Sequence, residues 1–171
     1  MGSKLVIGKG VTVMVIPEKE YTSKINNLVS SAASSYARIC YTALNKPCSI
    51  LSQSFKKSGI DLKKILFIEC SGKTVDGKVE QVVYVSSPRA LTEMCITIGK
   101  VIETGKIEVL IFDSLSTLLV YTDPSTVVKF THSLITILRS KTVSGVLVCT
   151  KGGQNEEVIK DISMFADKIV D

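Results

Sequence analysis

Val109-Leu110-Ile111-Phe112-Asp113, with Ser114 after it, is the stretch on which the fold turns. Apolar residues in unbroken succession fit a strand buried on both faces, since a half-exposed strand would alternate. Such strands belong to parallel sheets covered by helices. The same texture recurs at residues 11–16, stopped by Pro17, and at 38–44, 65–70 and 143–149; 82–85 reads as a short strand before Pro88, and 168–170 as a shortened last one. Between these runs the apolar period changes to that of a helix. Residues 21–36 form one, with Thr22 or Ser23 as its cap and Ile25, Leu28, Val29 and Ala32 on one face. Further helices are expected at 48–58, opened by Pro47 and closed by Gly59, at 88–103, at 124–141 and at 156–165. The polar stretch around Gly72 and Asp76-Gly77 predicts a loop or hairpin.

Alternating strands and helices with right-handed crossovers predict an α/β fold, a three-layer α/β/α sandwich on a mostly parallel sheet, in one domain spanning 1–171. Ligands of such a sheet lie beyond the carboxyl ends of its strands. Pro17-Glu18-Lys19-Glu20, Asn45-Lys46-Pro47 and Asp113-Ser114 all fall there. A carboxylate at a buried strand's end is how nucleoside-triphosphatases hold Mg²⁺, but the phosphates need a Gly-x-x-x-x-Gly-Lys-Ser/Thr loop. No such loop stands upstream of Asp113. The alternative role for Asp113 is structural, accepting hydrogen bonds from neighbouring loops, with Ser114 and Ser116 as candidate donors.

Apolar residues make up 45% of the 171 and charged residues 22%, which excludes a disordered or fibrous chain. A mean hydropathy of +0.31 is high enough to predict some apolar surface kept for a partner. No apolar run reaches the roughly 18 residues of a spanning helix, and the first residues lack a signal peptide's pattern, so a cytoplasmic protein without a membrane association is expected. Myristoylation is not expected either, because Val6 stands where Ser or Thr is required. Cys40, Cys48, Cys70, Cys95 and Cys149 form no Cys-x-x-Cys pair and read as small core hydrophobes. His132 has no acid or nucleophile beside it and reads as a packing or surface residue. Residues 1–100 carry 14 Lys and Arg against 7 Asp and Glu, whereas 101–171 carry 7 against 9. Lys56-Lys57 and Lys63-Lys64 stand out in the basic part, with no aromatic residues interleaved for stacking on single-stranded nucleic acid.

The order of these pieces resembles the RecA-like ATPases, and within them the KaiC-like proteins of archaea. The resemblance rests on the first strand and its following loop, on Asn45-Lys46-Pro47, on Ser58-Gly59-Ile60-Asp61-Leu62, on Ile111-Phe112-Asp113-Ser114-Leu115-Ser116-Thr117-Leu118, and on the closing Phe165-Ala166-Asp167-Lys168-Ile169-Val170. It implies a RecA-like sheet and, in an active member, Mg-ATP. Laid onto the family's phosphate loop, Pro17 and Thr22 occupy the glycine positions, Ser23 the lysine and Lys24 the Ser/Thr. Proline donates no N–H, and a Cβ obstructs the close approach of backbone amides to phosphate. Where the family carries a pair of carboxylates that orient water, this chain has Asn45 and Lys46. The resemblance therefore implies a degenerate member, a pseudo-ATPase with no catalytic residues and no expected cofactor or metal. It would act by binding a protein partner or by self-association, for instance as a homodimer. Two alternatives stand beside this. One is an ATP-binding protein or slow ATPase whose non-standard cradle uses Lys19, Lys24, Asp113 and Ser114, with Asp113 as the metal ligand. The other is a nucleic-acid binder working through the basic amino-terminal half.

Overall fold

The computed structural model describes residues 5–70 and 81–171. Its strands are β1 (Val11–Ile16), β2 (Ile39–Ala43), β3 (Ile65–Glu69), β4 (Val82–Tyr84), β5 (Val109–Asp113), β6 (Ser144–Thr150) and β7 (Lys168–Val170). Its α-helices are α1 (Tyr21–Ser35), α2 (Cys48–Lys57), α3 (Leu91–Thr104), α4 (Leu115–Tyr121), α5 (Pro124–Ser140) and α6 (Gln154–Ile162). The strands join into one sheet in the order β4-β3-β2-β5-β6-β1-β7, and each described pairing is parallel. β5 is central, as its unbroken apolar run demands, and all five of its residues are buried.

Two apolar cores flank the sheet, because successive side chains of a strand point to opposite faces. Leu110 and Phe112 face one core with Met94 and Ile98 of α3 and with Phe130 and Leu134 of α5. Val109 and Ile111 face the other, with Ile25, Leu28 and Val29 of α1 and Leu51 and Phe55 of α2. The predicted apolar face of α1 is thus the one it buries. Four cysteines are packed in these cores and Cys95 is half-buried; burial pushes the thiols of Cys40, Cys70 and Cys149 up to about 12, so they remain neutral. His132 stands on the exposed side of α5, edge-on to Phe165 at 5.2 Å.

Three local expectations are corrected. Neither Thr22 nor Ser23 caps α1, whose N-cap is Glu20 without a side-chain cap bond. A 3-10 turn, Glu18–Glu20, runs straight into the helix and leaves both residues inside its first turn, where the Ser23 hydroxyl donates to the Glu20 carbonyl at 2.9 Å. The helix expected from Pro88 begins at Leu91, after a short turn in which the Ala90 N–H donates to the Ser87 carbonyl at 3.0 Å. Helix α4 was not foreseen: its 7 residues are too few for a period to be read, but Ser114 caps it by accepting from the Thr117 N–H. The loop or hairpin expected around Gly72 and Asp76-Gly77 lies outside the described residues.

The shortened last strand finds its place beside β1, held by Asp167. Its Oδ2 accepts from the Val11 N–H at 2.7 Å, and its own N–H donates to the Val11 carbonyl at 2.9 Å. Gly10, with φ of +90°, leaves space for that carboxylate; a Cβ there would lie 2.6 Å from Oδ2. Gly10→Ala is expected to lower stability by about 1–3 kcal/mol in urea unfolding, through left-handed strain and displacement of Asp167.

Candidate functional site

In a parallel sheet with right-handed crossovers, the loops after β1, β2 and β5 meet at one end. The Asp113 carboxyl is only 2% exposed there. Its Oδ1 accepts from the Tyr21 hydroxyl and from the Asn45 amide at 3.1 Å, and its Oδ2 accepts from the Tyr41 hydroxyl. Asn45 also donates to the Tyr21 oxygen at 2.9 Å and accepts from the Thr117 hydroxyl, which lies 2.9 Å from Ser114 Oγ. One polar network thereby ties the start of α1, the end of β2, the loop into α2 and the start of α4.

The three donors to Asp113 are two phenols and an amide, none carrying a full charge. Burial dominates and pushes its carboxyl up to about 7. The Tyr41 phenol is also raised by burial and stays neutral. A small cavity of about 40 Å³ opens beside the carboxyl, between Tyr21, Ile25, Asn45, Leu51 and Phe55. At the end of β3, buried Glu69 accepts from the Cys48 N–H at 3.3 Å, where a negative charge suits the start of α2.

The candidate residues are not gathered into one cradle. Lys19 is exposed in the 3-10 turn, and Lys24 lies 3.7 Å from Glu20 across one helical turn; neither lines the cavity. Ser114 adjoins Asp113 in sequence, but its hydroxyl serves the start of α4. Ser116 Oγ accepts from the Thr150 N–H at 2.8 Å. The expected serine donors to Asp113 are therefore replaced by Tyr21, Tyr41 and Asn45. The two tyrosines left no signal in the sequence: they lie 92 and 72 residues from Asp113 and reach it only through the register of β2 on β5 and the packing of α1.

Two backbone amides after β1 are also engaged. The Glu20 N–H donates to the Pro17 carbonyl at 2.9 Å and the Tyr21 N–H to the Glu18 carbonyl. The charge around them is negative. Counting strand ends, the loops after them and the helix starts, the described residues at this carboxyl end of the sheet comprise 5 Lys and Arg and 9 Asp and Glu.

A seven-stranded parallel sheet with helices on both faces and an acid closing its central strand defines an α/β fold of the RecA/KaiC kind, and comparison with solved structures agrees. The crystal structure of a KaiC-like protein from the hyperthermophilic archaeon Pyrococcus horikoshii OT3 superposes with a TM-score of 0.69 at 14% identity, covering 94% of this chain and 69% of that one. Identity this low makes it a likeness of fold. Residues 67–171 match the model of a family of unknown function, DUF7504, and the chain belongs to that family. No curated protein matches it.

Proposed function

We propose that the protein is a non-catalytic RecA/KaiC-like domain, a degenerate member without the phosphate-binding loop, that acts by binding other proteins or a second copy of itself. The observation that carries this reading is the state of Asp113, both of whose carboxylate oxygens are already taken by Tyr21, Tyr41 and Asn45. A Mg²⁺ ion would have to displace these donors from a buried carboxyl and would find no second carboxylate lining the cavity among the described residues. Nucleotide-sized ligands occupy pockets of roughly 300–1,000 Å³, and the space beside Asp113 is about 40 Å³. The surplus of acids at this end repels a polyphosphate, and the Glu20 and Tyr21 amides after β1 are spent within their own turn. The residues present do not fit Mg-ATP. Exposed apolar side chains fit a protein partner instead: Val120 is 76% exposed on α4 and Ile96 54% on α3.

Isothermal calorimetry with Mg-ATP is expected to give no binding heat up to millimolar nucleotide. Micromolar affinity that Asp113→Ala abolishes would replace this reading with that of an ATP-binding protein. Sedimentation equilibrium checks the other half: a strictly monomeric protein at high concentration that captures no partner speaks against it.

A further inference from the structure

The tertiary structure sorts charge between the two ends of the sheet, a division that the linear sequence conceals. At the amino-terminal end, counting residues that precede or begin strands and those in the closing turns of helices, 11 Lys and Arg stand against 5 Asp and Glu among the described residues. That formal +6 exceeds the +5 of the whole chain. The acids at this end are largely occupied. Glu108 accepts from the N–H groups of Ala37 and Arg38 at 2.7 and 2.9 Å, Asp61 accepts from the Lys63 N–H at 3.0 Å, and Asp167 holds the Val11 N–H at 2.7 Å and pairs with Arg139.

The cations are also ordered. Taken along the sheet from β3 through β2, β5, β6 and β1 to β7, one stands before or at the start of every strand: Lys63, Arg38, Lys106, Lys141, Lys9 and Lys168. Parallel neighbours are spaced about 4.8 Å apart, so the row is roughly 24 Å long. Lys9, Lys63, Lys106 and Lys168 are exposed and have no acidic partner among the described residues. Lys56 and Lys57 broaden the row at the end of α2, where the helix dipole favours positive charge.

We infer that this amino-terminal edge binds the phosphate backbone of a nucleic-acid duplex without reading its sequence. A row of roughly 24 Å matches about seven base pairs at 3.4 Å each, and cations at regular intervals suit a regular line of phosphates. Single-stranded nucleic acid fits less well, because stacking needs aromatic side chains and Tyr36 alone lines the groove at this edge among the described residues. The surface lies opposite the Asp113 site, so it stands or falls independently of the function proposed above.

The test is fluorescence anisotropy with a labelled 20-base-pair duplex of arbitrary sequence, titrated with the intact protein between about 50 and 200 mM salt. Micromolar binding at the low end is expected, weakening with a log–log slope of about −3.5 to −5.5, which corresponds to some four to six phosphates. The triple substitution Lys9→Glu, Lys63→Glu and Lys168→Glu should lower affinity at least about tenfold and flatten the slope. The milder Lys→Gln triple at the same positions should lower it less and covers any misfolding of the first. Reversal of Lys19, Lys46 and Lys151 at the other end should leave binding unchanged. Equal losses from both ends, no binding at 50 mM salt, or binding to phosphatidylserine vesicles but not to duplex would each overturn the inference.

Discussion

Asp113→Asn is expected to raise the stability of the protein at pH 8 and to leave it nearly unchanged at pH 4. The carboxyl is 2% exposed, and burial lifts it from an ordinary 3.8 to about 7 in the folded protein. Between these values the folded state binds more protons than the unfolded state, so ionisation of Asp113 makes stability fall as pH rises from about 4 to about 7, and the loss is complete above that. At roughly 1.4 kcal/mol per unit the full penalty is a little over 4 kcal/mol. Asparagine removes the charge and keeps the shape. A gain of about 2–4 kcal/mol at pH 8 is expected in urea unfolding, with a difference under about 1 kcal/mol at pH 4, where the carboxyl is protonated in the folded state and largely so in the unfolded one. A variant less stable than wild type at pH 8 would mean that the bonds from Tyr21, Tyr41 and Asn45 outweigh burial and that the site is built to hold a carboxylate.

Tyr41 separates packing from hydrogen bonding in the same site. Its ring is fully buried and meets Phe55 edge-on at 5.4 Å and Phe67 at 5.9 Å, while its hydroxyl donates to Asp113. Tyr41→Ala removes the ring from the centre of the core under α1 and α2, and a loss of about 3–5 kcal/mol is expected. Tyr41→Phe keeps the ring and deletes one donor to the carboxyl, with an expected loss of about 0.5–2 kcal/mol at pH 8. At pH 5 the protonated carboxyl depends less on that donor, and the loss should shrink. Equal losses for the two variants would mean that the hydroxyl, and not the aromatic cluster, holds β2 in place.

Much of the fold was legible because a doubly covered parallel sheet writes itself locally. β5 ends at Asp113 as its apolar run does, β1 stops at Pro17, and Gly59 follows α2 with φ of +75°. Errors fell where a local signal competes with a neighbour. Thr22 and Ser23 have the chemistry of caps, but the 3-10 turn before them had already begun the helix. The Asp113 site was half legible. An acid at that strand end could be found by pattern, as could Asn45 in the next loop. Ser114 and Ser116 were natural guesses for its partners because they are close in sequence, whereas the tyrosines that cap it come from elements far along the chain.

By itself the sequence determined the alternation of buried strands and amphipathic helices and their order. These depend on periods and residue types within a few positions. Only the tertiary structure decided what surrounds Asp113 and where the charge lies. The sequence divides into a basic first part and a mildly acidic second, but parallel strands all point one way. Each crossover returns the chain to the same end, so Lys9, Lys63, Lys106 and Lys168, drawn from both parts, meet along one edge, while acids gather at the other. Long-range register, which no local pattern encodes, turns a scattered excess of lysine into a row.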